Sequence, residues 1–271
     1  MNSKLLSEKA LAVIDQYLHF KIGSVVISIP YYNNSRTPVR GGLRAAVGKG
    51  SPKDIYEEIE IALAKNHAAV APGAIASGAY VPGTMTADSL KHFLVEKNIG
   101  VDCSGFVYYV LNAESMSRGK GSFDRHLSFP LCKGIFGKIR AKTRPVENAN
   151  VATFAHPKNT TQIHLNEVKP GDIITMLGDR NHVLVVNQVE YQNFIPTTIH
   201  YSHSIAWPTD GEFDHGVRQG TIVVYDSSKP LTEQEWTENG KTGDENYTLM
   251  RAKESKTELR AFPFLEETRY H

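Results

Sequence analysis

Cys103 is followed by Phe106, Val107, Val110 and Leu111 at helical spacing, which predicts a thiol on the first turn of a helix whose later turns enter a core. A helix start presents backbone N–H groups and the positive end of the dipole, which favour a thiolate and suit the oxyanion formed when a carbonyl is attacked. Cys103 is therefore a candidate nucleophile, and its own N–H a candidate oxyanion donor. Gly105 keeps the approach uncrowded, and Asp102 is placed to cap the helix. A nucleophilic thiol needs a base, and the base needs a partner that fixes its tautomer. His182, 79 residues further on, opens the apolar run His182-Val183-Leu184-Val185-Val186 and is the candidate base.

The tetrad Asp102-Cys103-Ser104-Gly105 ahead of an aromatic–aliphatic helix resembles the nucleophile motif of the NlpC/P60 cysteine peptidases. Lys169-Pro170-Gly171-Asp172-Ile173-Ile174-Thr175-Met176, followed by Asn181-His182-Val183-Leu184-Val185-Val186, is similar to that family's turn, strand and histidine-bearing strand. The likeness covers residues of about 100–225. It implies a papain-like core and hydrolysis of peptide bonds in bacterial cell-wall stem peptides, beside a D-glutamyl residue, through a Cys-His-His triad and a thioester. It also implies that the third member is a histidine of the next strand, where His200 and His203 both occur. Strand alternation puts Thr198, His200, Ser202 and Ser204 on one face and Ile199, Tyr201, His203 and Ile205 on the other. The second set is the more apolar, so His203 is preferred and His200 is the alternative. His203-Ser204 with the later Gly216-Val217-Arg218 is also closest to the family pattern.

Family members often carry a tyrosine before the cysteine that assists the oxyanion. Tyr32 is the candidate, although 71 residues separate it from Cys103; Tyr31 adjoins it. Asp102 and Ser104, with Arg40 and Arg44 of a glycine-rich loop, are candidate substrate contacts, the arginines because a guanidinium fork suits a carboxylate. A zinc site from His182, His200 and His203 is disfavoured, because alternation points His200 and His203 apart, and no His-Glu-x-x-His occurs. No metal or cofactor is expected. Gly48-Lys49-Gly50-Ser51-Pro52 lacks phosphate-loop spacing, and Cys132 has no reactive context.

The elements that must hold these groups predict an α+β fold, with the nucleophile's helix packed on an antiparallel sheet and an extra N-terminal helical region. Helices are expected over 4–20, stopped by Gly23, over a stretch capped by Ser51 with Pro52 at its first position, over about 86–97, and over 103–114. Val25–Pro30 reads as a short strand, and strands are expected at 172–176, 182–186, 198–205 and 221–225. The expected organisation is an N-terminal extension over 1–95, a catalytic core over 96–228 with an insertion or long loops at 115–168, and a charged, peripheral tail over 229–271.

Composition narrows the classes further. The 271 residues include 30 Lys+Arg and 29 Asp+Glu, and the resulting formal charge of +1 gives no overall steering toward nucleic acid or anionic membrane. No apolar run is long enough to span a bilayer, and Glu8, Lys9 and Asp15 interrupt any signal-peptide core. The compartment is left open between the cytoplasm and a non-standard export route, with wall fragments or another peptide as the expected partner. Two cysteines exclude a disulfide framework and a four-cysteine zinc site. Besides a hydrolase, the residues allow a non-catalytic wall-fragment binding module, or a thiol amidase or acyltransferase acting on another acyl substrate.

Overall fold

The computed structural model describes residues 2–32, 47–65, 86–211 and 213–266. The chain is α+β, and it divides into two compact units that do not follow chain order. One comprises Met1–Leu11, Val107–His203 and Gln219–His271; the other comprises Ala12–Phe106 and Ser204–Arg218.

The N-terminus forms strand β1 (Asn2–Leu5) and helix α1 (Glu8–Leu18) in place of one helix over 4–20. Ser7 is the reason: its hydroxyl accepts from the Ala10 N–H at 3.3 Å, so the helix starts after it and Leu5 joins the sheet. Strands β2 (Phe20–Ile22) and β3 (Val25–Ile27) form a hairpin whose turn begins at Gly23, with φ of 59°. Helix α2 (Pro52–Lys65) starts at the expected cap. There Ser51 Oγ accepts from the Asp54 N–H, and Asp54 Oδ2 accepts from the Ser51 N–H. Helix α3 (Ala87–Glu96) has the same reciprocal cap from Thr86 and Ser89. Helix α4 (Cys103–Ser117) carries the candidate nucleophile as its first residue, and Phe106, Val107, Val110 and Leu111 are fully buried.

The 115–168 stretch is ordered beyond α4, mostly as short helices: α5 (Gly134–Thr143), α6 (Pro145–Asn148) and α7 (Val151–Phe154), then strand β4 (Thr161–Gln162). Its weak periodicity is offset by contacts without a period. Phe123 packs against Phe154 and Phe262, and Asn159 binds both main-chain groups of Ser128 and the Thr153 carbonyl.

Strands β5 (Ile173–Leu177), β6 (His182–Gln192), β7 (Ile195–Ile205), β8 (Gly216–Val223), β9 (Glu235–Glu238) and β10 (Lys241–Thr242) follow. Helix α8 (Tyr247–Lys253) and strand β11 (Lys256–Ala261) come next. The sheet runs β10-β9-β8-β7-β6-β5-β11-β4, with β1 also on β6. Pairing is antiparallel at β1–β6, β4–β11, β5–β11, β5–β6, β6–β7, β8–β9 and β9–β10. Ile174, Met176, Leu184, Tyr201, Trp236 and Leu259 line a core that Leu249 and Ala252 of α8 close.

Over its described residues, 229–266, the segment expected as a peripheral tail is therefore part of the fold. Strand β11 lies between β5 and β4, and β9 buries Trp236. Its charges hid this because they pair with one another and with Thr160, about 100 positions earlier, where the sequence reads them as solvated. Arg260 binds Glu258 at 2.7 Å and the Thr160 hydroxyl and carbonyl at 2.8 and 2.9 Å. Buried charges are stable when paired in this way.

The β6–β7 hairpin turns on Asn193 and Phe194, with φ of 51° and 66°. A two-residue turn of this kind needs both centres left-handed, which a bulky side chain resists and glycine does not. Phe194 is 93% exposed, so its ring contributes little packing. Phe194→Gly is expected to stabilise the protein by about 1 kcal/mol, raising Tm by about 2–4 °C in thermal unfolding. An unchanged or lower Tm would show that the turn is not under this strain.

Candidate active site

In the unit that contains Cys103, three chain segments meet ahead of α4. The Val101 N–H donates to the Pro30 carbonyl, the Tyr32 N–H donates to the Val101 carbonyl, and the Asp102 N–H donates to the Gly48 carbonyl at 2.8 Å. Gly100 is required here, since a Cβ would stand 2.4 Å from the Pro30 oxygen. Tyr31 and Tyr32, remote in sequence, thus lie alongside the segment leading to the cysteine.

Asp102 Oδ1 accepts from the Gly105 N–H at 2.6 Å and from the Ser104 hydroxyl at 3.0 Å. Lys49 reaches both Asp102 oxygens at 2.9 Å and donates to Ser104 Oγ at 2.5 Å. Asp102 and Ser104, expected to contact substrate, are buried, and these bonds fix the helix start instead. The sequence reading saw Lys49 only as part of a glycine-rich loop. The structure makes it the buried cation that clamps the motif. Cys103 itself is 6% exposed. At the other end of this unit's chain, Ser204 donates from its hydroxyl to the Val101 carbonyl at 2.7 Å.

The other unit holds the histidines. His182 opens β6 opposite Met176 of β5, and its Nε2 lies 2.8 Å from His203 Nδ1 on β7. His203 Nε2 lies 3.1 Å from Glu238 Oε2, and both of these side chains are fully buried. The same oxygen accepts from the Tyr201 hydroxyl at 2.8 Å and the Thr248 hydroxyl at 3.0 Å. Tyr201 lies over Gly220, where a Cβ would meet its hydroxyl at 2.3 Å, so β8 must have a glycine at that point.

Burial tends to raise the Glu238 pKa, but the adjacent His203 imidazole and the hydrogen bonds from His203, Tyr201 and Thr248 bring it below its ordinary value. His182 is held well below the ordinary imidazole range, first by burial and then by the charges of Arg251 and His203. The Glu238 direction places one hydrogen. An ionised carboxylate only accepts, so His203 Nε2 carries the hydrogen facing Glu238. When the His203 imidazole carries no charge, its Nδ1 accepts from His182 Nε2–H and neutral His182 keeps a lone pair on Nδ1; when it is charged, that charge disfavours a second proton on His182. Neutral His182 is the state a general base requires.

His200 stands apart, its Nε2 3.0 Å from Glu190 Oε1. Among the described residues no three His, Cys, Asp or Glu side chains are grouped to hold a metal ion. Arg40 and Arg44 lie outside the described residues. Cys132 is half-buried, with its sulfur 3.9 Å from Asn148 Oδ1. Glu238 is the residue the sequence reading missed. Its available signal was the alternation in Glu235-Trp236-Thr237-Glu238, which puts the acid on the face of a buried tryptophan. No family model, curated protein or solved structure matches the chain.

Proposed function

We propose that the protein is a thiol hydrolase with a papain-like core, in which Cys103 attacks an amide carbonyl and His182 takes the thiol proton. His203 orients His182, and Glu238 sets the tautomer of His203. The observation that carries this reading is the buried chain His182–His203–Glu238, which leaves the His182 Nδ1 lone pair as the proton acceptor. The capped start of α4 supports it from the cysteine's side, because it fixes Cys103 on the first turn, at the positive end of the helix dipole. The cysteine sulfur bonds to the carbonyl carbon, and the imidazolium then gives its proton to the leaving amine. Water, deprotonated by His182, next hydrolyses the thioester and releases the acid.

The substrate class, stem peptides of bacterial cell wall, rests on the resemblance of Asp102-Cys103-Ser104-Gly105 to the NlpC/P60 motif. Incubation with purified wall sacculi, followed by mass spectrometry, tests it. New peptide termini beside D-glutamyl residues are expected, and sacculi and soluble muropeptides both left intact would overturn the reading. The near-complete burial of Cys103 favours a second reading, a wall-fragment binding module with a closed thiol. Alkylation at neutral pH separates the two. A hydrolase labels at Cys103 faster than at Cys132, by roughly tenfold, and slows when His182 is changed to alanine. A binder labels at Cys132 first.

A further inference from the structure

We infer that helix α5 is an interfacial element that docks the protein on an anionic lipid surface. The inference is independent of the proposed hydrolysis. Ile135, Phe136 and Ile139 are 76%, 88% and 53% exposed, and Leu131 just before the helix is 50% exposed. Scattered exposed apolar residues are ordinary, but three of these share one helix and Leu131 comes shortly before it. At about 100° per residue, Ile135, Ile139 and Phe136 form one stripe on α5. The opposite side holds Ala141, the helix's buried residue, and Gly137, whose Cβ would abut the Cys132 main chain at 3.3 Å. The helix therefore rests on its small residues and turns its large apolar ones away from the protein.

Charge says what covers that stripe. Lys133, Lys138, Arg140, Lys142 and Arg144 surround it, and no acidic residue occurs between Asp124 and Glu147. All five cations are exposed, and among the described residues none has an ion-pair partner. On the helical projection Lys138 and Lys142 flank the stripe on one side and Arg140 on the other. The overall charge of +1 averages this segment away. A second copy of the chain is a poor occupant, since five cations would face five. A plane of lipid phosphates over an acyl boundary accepts both the charge and the projecting aromatic ring. No helix among the described residues is long and apolar enough to cross a membrane, so α5 lies on the surface.

Co-sedimentation of the full chain with vesicles tests the inference, comparing phosphatidylcholine alone with a mixture one-third phosphatidylglycerol. Binding to the mixed vesicles and not to the neutral ones is expected, and it weakens as salt shortens the screening length from roughly 10 Å at 0.1 M. Phe136→Ser is expected to weaken binding about tenfold, and Lys138→Gln with Lys142→Gln roughly twenty-five-fold, at about fivefold per cation. All three side chains are exposed, so the variants keep the wild-type melting temperature. Equal binding to both vesicle types, no binding to either (the outcome if the helix docks on an acidic protein), or binding indifferent to Phe136→Ser overturns the inference.

Discussion

Cys103→Ala is expected to abolish amide hydrolysis while leaving the fold intact, with a loss in kcat/KM on the order of 10⁴ or more. The substitution removes one sulfur atom and leaves in place the bonds that neighbouring residues make at the helix start. The cap Asp102–Gly105, the Lys49 clamp and the Gly48 contact all belong to other residues. Helix α4 should therefore start where it does now, and urea unfolding should be nearly unchanged. His182→Ala should lose a comparable amount, because the nucleophile then has no base. His203→Ala should lose less, since His182 keeps its chemistry and gives up only its fixed tautomer. The pH profile adds a sign. His182 acts as a base only when neutral and is held well below its ordinary 6.5, so activity should persist below pH 6.5. Hydrolysis that survives in Cys103→Ala removes the thiol from the mechanism altogether.

Features written in local periodicity were legible before any coordinates. Phe106, Val107, Val110 and Leu111 announced a buried helix with Cys103 at its head, and the strand alternation put His203 on the apolar face of β7 with Ile199 and Tyr201. Ser51 and Pro52 marked the start of α2 because capping chemistry is local. Features that depend on distant partners were not legible. Lys49 and Asp102 are 53 positions apart, and His203 and Glu238 are 35 apart. Nothing in the loop around Lys49 or in the charged stretch after Lys229 carries a period that announces such a pairing. The same cause misplaced β11, whose Glu258 and Arg260 look solvated until Thr160 is brought beside them. Leu5 and Leu6 fit the helical period of α1, yet the cap at Ser7 overrode them.

Glu238→Ala is expected to be the most destabilising single change in the histidine cluster, at about 3–5 kcal/mol in urea unfolding. One oxygen of this carboxylate takes hydrogens from His203, Tyr201 and Thr248, so truncation removes the acceptor that three buried donors share. Glu238→Gln keeps the shape and one carbonyl oxygen, and should cost less, about 1–3 kcal/mol. Its activity should fall less than that of Glu238→Ala, since the amide oxygen, placed where Oε2 stands to meet the three donors, still accepts from His203 Nε2–H and only the negative charge is lost. A pH series identifies the charge. The Glu238 pKa is lowered in the fold, so its stabilisation is full above the ordinary value of 4.5 and is lost as pH falls through the lower folded value. Two other buried groups act on the whole-protein curve in opposite senses. Below 6.5 the unfolded chain protonates at His182 where the native ring does not, so acid destabilises. Asp172, raised by burial to about 7, stabilises fully below 3.8 and progressively less as pH rises toward its folded value. The wild-type-minus-variant difference cancels both. For Glu238→Gln that difference should stay flat from about pH 8 to about pH 5 and close only in more acidic solution. A difference that closes near neutrality instead would mean that the carboxyl is protonated in the fold, and the tautomer assigned to His203 would fail with it.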